Sequence, residues 1–282
     1  MKVRLVVLLF SWSLYACNTS WAINTRYDIL EQWPLPDALA ESSGLYCDQQ
    51  GQTFSINDSG NPPVIYQIDT KAIISAQYPL KVKNKDWEAL AGDDNYFYVG
   101  DIGNNNGQRT RLNIYKVAKK DLGQGDITSL DVSYVANQPG LNETLNHDFD
   151  GEALVVVNDH LVLFSKSWQT DLLKVYLLDK SKLKQHVKPY VTVSNLPGVI
   201  TGATYDPVTK QYILVGYPSK RVGFGEPFMV ILSDEFVLLE HFQLTGYGQV
   251  EAVCQQASGE IWFTQEGSIF SSAKLVKIRL RN

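Results

Sequence analysis

A short phrase recurs along the chain: a polar or acidic residue, a small residue and an apolar residue, placed where a strand would open. It reads Ser43-Gly44-Leu45, Glu88-Ala89-Leu90, Glu152-Ala153-Leu154, Gly202-Ala203-Thr204 and Glu251-Ala252-Val253. Successive starts lie 45, 64, 50 and 49 residues apart. A β-rich repeat of roughly 40 to 50 residues is the period of a propeller blade. Five phrases therefore predict an all-β chain folded as a five-bladed β-propeller.

The segments between phrases support this. Runs at 53–57, 64–68 and 76–82, at 96–100, 112–117 and 131–136, at 161–165, 174–178 and 190–193, and at 212–216, 228–232 and 238–244 are alternating or rich in Val, Ile, Tyr and Phe. Clusters of Gly, Asn, Asp and Pro separate them, which is the signal of strands joined by turns. The last unit supplies only 252–255, 261–264 and 275–280. A strand-like stretch at 27–33 precedes the first phrase, and the expectation is that it completes the last blade and covers its edge. The long interval between the second and third phrases holds 137–148, a Pro, Gly and Asn-rich stretch that reads as a surface loop.

The 282 residues, 44% hydrophobic, suit one large domain, and the expected boundaries are 23–282. Residues 1–22 read as an export signal: Lys2 and Arg4 precede an apolar run at 5–15, too short to span a bilayer, followed by Ser20-Trp21-Ala22. A second reading stays open, in which Leu14-Tyr15-Ala16-Cys17 is a lipoprotein box, 1–16 is the signal and Cys17 carries a lipid anchor. Either way the chain is exported, periplasmic or extracellular, with no transmembrane segment in the mature protein. A net charge of −5 gives no electrostatic support for nucleic-acid binding. The expected state is a monomer. Export permits disulfides, and Cys47 and Cys254 fall in the first and last blades on strand faces that meet in a closed ring. A bridge between them would lock the ring; two independent buried thiols are the alternative.

In a propeller the first strand of each blade lines a central channel. The phrase residues Ser43, Glu88, Glu152, Gly202 and Glu251 then form one layer around it, with three converging carboxylates. The second strand returns to the same mouth, where its ends read Asp58, Asp101, Lys166, Tyr217 and Glu266. Converging carboxylates in a partly desolvated channel raise one another's pKa or demand a cation. Oxygen ligands with no Cys or His pattern suit a hard cation, Ca²⁺ before Mg²⁺, so the candidate metal ligands are Ser43, Glu88, Glu152 and Glu251. The competing reading is a water-filled polar channel whose acids are neutralised by Lys166, Arg109 or Arg111. Trp168 joins Asp58, Asp101, Lys166, Tyr217 and Glu266 as the expected ligand mouth, facing an unidentified small molecule or protein.

The strings ESSGL with INDSG, DWEAL with YVGDIGNNNGQRTRLNIYKV, FDGEAL with LFSKSW, ITGATY with GY, and QVEAV resemble a family of exported bacterial five-bladed propellers. Many members of that family carry type IX secretion sorting domains, and no activity is established for it. A looser likeness is to calcium-activated nucleotidases (apyrases), whose central Ca²⁺ is held by Ser and Glu on inner strands; the order Ser43, Glu88, Glu152, Glu251 is similar to that layer. Calcium-dependent phytases offer a further comparison. Two functions follow as expectations. One is a binding propeller with a central cation. The other is a calcium-dependent hydrolase of phosphate esters or anhydrides, in which Asp58 or Asp101 orients water and Lys166 or Arg109 binds phosphate.

Overall fold

The computed structural model describes residues 26–219, 225–268 and 271–281. The expected signal segment and Cys17 lie outside them. The chain forms the predicted five-bladed propeller. Strand β1 (Tyr27–Pro34) comes first; blade 1 is β2 (Ser42–Cys47), β3 (Thr53–Asn57), β4 (Val64–Ile68) and β5 (Ile74–Pro79). Blade 2 is β6 (Trp87–Gly92), β7 (Tyr96–Asp101), β8 (Leu112–Ala118) and β9 (Ile127–Tyr134). Blade 3 is β10 (Asp150–Val157), β11 (His160–Lys166) and β12 (Leu173–Asp179), followed by β13 (Lys184–Val187) and β14 (Val191–Val193). Blade 4 is β15 (Val199–Asp206), β16 (Gln211–Tyr217), β17 (Phe228–Ser233) and β18 (Leu238–Gln243). Blade 5 is β19 (Val250–Gln255), β20 (Ile261–Gln265) and β21 (Lys274–Leu280).

As expected, β1 pairs antiparallel with β21 and completes blade 5. One strand was not foreseen. β13 leaves blade 3 and pairs parallel with β9, adding a fifth strand to blade 2, while the three-residue β14 closes blade 3. The 137–148 insertion is a loop with one short 3-10 turn, Pro139–Leu141.

The core is distributed over the five interfaces between blades, each an apolar cluster contributed by two neighbours. This arrangement explains the small residue of the phrase. Inner strands of adjacent blades approach so closely that a Cβ on Gly44 would lie 2.7 Å from the Leu90 amide nitrogen, and one on Gly202 2.8 Å from the Glu251 carbonyl oxygen. Gly202→Ala is therefore expected to force the blade 4 and blade 5 strands apart, at a cost of roughly 1–3 kcal/mol. Urea denaturation would measure it; a neutral result would mean that the strands can part freely.

Blades 1 and 5 close the ring. Cys47 and Cys254 are joined by a disulfide with their Cα atoms 5.5 Å apart, inside the apolar cluster between those blades. Among the described residues no helix is long and apolar enough to cross a membrane.

Candidate functional site at the channel mouth

All five inner strands carry a β-bulge at the same place. In each, one residue has no partner on the second strand: Ser43, Glu88, Glu152, Thr201 and Glu251. A bulge bends the strand and re-aims the extra side chain. The phrase is thus a bulge motif, and its fourth copy begins at Thr201, not at the expected Gly202. Gly202 is instead the small packing residue, equivalent to Gly44 and Ala89.

Side-chain length separates the five. The short hydroxyls tie one blade to the next: Ser43 Oγ donates to the Trp87 carbonyl at 2.7 Å and Thr201 Oγ1 to the Val250 carbonyl at 2.5 Å. The longer carboxylates of Glu88, Glu152 and Glu251 extend past this point. Glu152 is buried and accepts from Lys166 Nζ at 3.1 Å. Its other oxygen has no partner. The Lys166 ammonium is itself buried, 4.9 Å from the centre of the Trp168 ring and 5.3 Å from that of Tyr217. It stays firmly protonated, because attraction from Glu152 and the surrounding acids outweighs its burial.

Glu88 is different. Only 8% exposed, its carboxylate has no hydrogen bond or ion pair among the described residues. Its oxygen lies within 4.8 Å of carboxylate oxygens of Asp58 and Asp86. Oxygens about 2.4 Å from a common calcium ion can be no more than about 4.8 Å apart, a limit this trio meets. Burial, reinforced by Glu152 and Asp58, holds the Glu88 carboxyl well above its ordinary range. Burial also raises Asp58, against the pull of the Ser59 amide. Asp86 is pushed up to about 6 by burial and by its neighbours Asp58 and Asp150. Across the mouth, burial takes Glu251 to about 7, and burial with Glu251 and Asp58 takes Glu266 to about 8.

Among the described residues, the acids brought within one ion's span are not the four expected as metal ligands. Ser43, Glu88, Glu152 and Glu251 do not share one centre: the Glu152 carboxylate is engaged by Lys166, the Ser43 proton by Trp87, and of the four only Glu88 belongs to the trio. Asp86 was missed. It sits two residues before the phrase, where Asp150 stands in the third blade, and this second acidic position was visible in the sequence. Asp150 is buried, accepting from the Asn104 amide at 2.5 Å and from Trp168 Nε1 at 2.9 Å. It thereby holds the Trp168 ring beside Lys166.

The structure gathers Asp58, Lys166, Trp168, Tyr217 and Glu266 around one cavity of about 350 Å³, with Ser43, Glu88 and Glu251. Asp101 is not among them. The end-of-strand layer is Asp58, Ile102, Lys166, Tyr217 and Glu266, so Asp101 is one residue early, and in a strand that turns a side chain to the other face. It is fully buried, paired with Arg109 at 2.8 Å and accepting from the Tyr115 hydroxyl at 3.2 Å. Arg109 also donates to the Gly103 and Asp101 carbonyls and so braces a loop rather than facing the mouth. Arg111 pairs with Asp131 outside the channel. Of the three bases expected to neutralise the channel acids, Lys166 pairs with Glu152, and Arg109 partly offsets the charge of Asp86 while pairing with Asp101. Trp87 is wholly buried between blades.

The insertion supplies one wall. Thr144 and Leu145 reach the cavity beside Asn105. They are held by the Leu145 amide on the Asn105 carbonyl at 2.9 Å, Thr144 Oγ1 on Asn106 Oδ1 at 3.2 Å and Asn142 Nδ2 on the Gly107 carbonyl at 2.7 Å. Below the acids the channel narrows to a void of about 10 Å³, room for about one water.

No protein-family model matches the chain, and no curated protein matches it significantly. Solved structures do. A hypothetical protein from Leishmania major aligns with a TM-score of 0.53 at 11% identity, covering 89% of this chain and 90% of that one. The PQQ-bound aldose sugar dehydrogenase from Streptomyces coelicolor gives 0.51 at 11% identity, covering 90% and 98%. A gluconolactonase assigned as such only provisionally gives 0.50 at 11% identity, covering 86% and 76%. At such identities the likeness is one of fold, and propellers host unrelated chemistries.

Proposed function

We propose that this is an exported binding propeller whose channel mouth holds a hard divalent cation, calcium before magnesium, on Asp58, Asp86 and Glu88. The observation that carries the reading is the Glu88 carboxylate: nine-tenths buried, without a hydrogen-bonding partner among the described residues, and within one ion's span of two further carboxylates. A buried carboxylate so placed must either keep a proton or meet a cation. Binding is exchange of the first for the second. A ligand or partner would complete the ion's shell from the open side, against Trp168, Tyr217 and Leu145. Titration calorimetry with Ca²⁺ and Mg²⁺ tests this: one calcium per chain is expected, and no heat with either ion at millimolar concentration would overturn it.

The phosphate hydrolase is the second reading, favoured by the Lys166 ammonium in the same cup as half-buried carboxyls whose pKa values of about 7 and 8 suit proton transfer near neutrality. The surplus of carboxylates opposes an anionic substrate unless the cation is bound. Phosphate release from nucleotides or phytate that requires calcium and is lost in Lys166→Met would move the assignment to this reading.

The same acids set a pH dependence. Where a carboxyl has a higher pKa folded than unfolded, the folded chain holds the proton longer, so stability falls as pH rises between the two values. For Asp86, Glu251 and Glu266 that window runs from the ordinary carboxylate range up to about 6, 7 and 8. In chelator the melting temperature is expected to decline from pH 5 to pH 8.5, and saturating calcium to flatten the decline. A thermal scan at several pH values with and without calcium checks both; a flat profile in chelator contradicts the assignment.

A further inference from the structure

The channel has a second end. At the C-terminal ends of the inner strands lies a cavity of about 470 Å³, within the size range of small-molecule sites. Its character is the opposite of the acidic mouth. Its apolar walls are the half-buried side chains of Tyr46, Val157 and Tyr205. The rim carries uncharged donors and acceptors, among them Gln49, Thr204 and Gln255. The Thr204 hydroxyl and the Gln49 amide make no side-chain hydrogen bond among the described residues.

Among the described residues one ionised group lines this cavity, Asp206, and it is occupied. Its carboxylate accepts from the Val208 amide at 2.8 Å, the Thr209 amide at 3.3 Å, Thr209 Oγ1 at 2.8 Å and Gln255 Nε2 at 3.3 Å. A charged ligand would be desolvated here without a counter-charge, which is costly. A wholly apolar ligand would cover the Thr204 hydroxyl and the Gln49 amide and strip them of water, costly again. The ligand that fits is neutral, offers an apolar face to Tyr46 and Tyr205 and hydroxyls to the rim.

We propose that this far cup is a second binding site, for a neutral saccharide ring. The neck between the two ends admits about one water, so the cup works independently of the cation at the mouth. Ligand-observed saturation-transfer NMR on the whole protein tests this with glucose, galactose, N-acetylglucosamine, maltose and cellobiose, beside the charged glucuronate and glucosamine. At least one neutral sugar is expected to bind, and the charged relatives at least tenfold more weakly. Thr204→Val with Gln49→Ala should weaken binding at least tenfold at an unchanged melting temperature, and Gln49→Ala alone serves if the pair folds poorly. Chelator and Glu88→Gln should change nothing. Silence from every neutral sugar, equal binding of charged ones, or loss of binding in Glu88→Gln would each overturn the proposal, the last by placing the sugar at the acidic mouth.

Discussion

Replacing Cys47 and Cys254 together by alanine is expected to lower stability by about 3–5 kcal/mol, the range for a bridge that closes a long loop. The two residues are 207 apart in sequence, so the bridge restricts nearly the whole unfolded chain. For a domain of this size the melting temperature should fall by roughly 6–20 °C. The effect should show a second signature. An unbridged denatured chain is more expanded, so the urea m-value should rise as the midpoint falls. A midpoint shift with unchanged m would place the effect in lost packing between blades 1 and 5. No shift at all would mean that the β1–β21 pairing and the apolar interface close the ring unaided.

Calcium at about one hundred times its dissociation constant is expected to stabilise the wild-type protein by about 2.7 kcal/mol, a rise of roughly 5–10 °C in melting temperature. Glu88→Gln should abolish that rise. In chelator the same variant should melt above the wild type, because the amide is uncharged at every pH, a state Glu88 reaches only by keeping a proton, and it can donate to Asp58 and Asp86. The opposite signs separate a ligand from a structural residue: a Glu88 needed only for packing would lose stability under both conditions. A calcium-dependent rise that survives in Glu88→Gln would overturn the assigned site. Differential scanning fluorimetry reads all four combinations.

Much of this molecule was legible in the chain, because blades repeat. Period, strand runs and the clasp by the segment at 27–33 follow from local pattern, and β1 pairs where that pattern placed it. The acidic character of the mouth was legible too, since Glu88, Glu152 and Glu251 recur at one position of a repeat. Individual roles were not. Gly202 and Asp101 were each taken one residue out of register, and a one-residue slip reverses the face of a strand. The cause is the turn between the first and second strands. The bulge recurs in every blade, but the turn runs from Cys47 to Thr53 in the first and only from Val157 to His160 in the third, so a count from the phrase puts Asp101 at the mouth where Ile102 stands. β13 escaped notice for another reason: Lys-Gln-His-Val has no strand signature of its own, and only the exposed edge of β9 makes it one.

The amino-acid sequence by itself determined the architecture: five bladed units, an N-terminal strand to complete the last, and a ring of acids about the axis. Repetition of a short pattern specifies repetition of a backbone, and burial of alternating apolar residues does the rest. The tertiary structure decided which acids act together. Glu152 meets Lys166 across the hairpin of its own blade, whereas Glu88 faces Asp58 because the ring brings the strand ends of two neighbouring blades together. Those two acids come from different repeats, and nothing in the local order of either repeat states the distance between them.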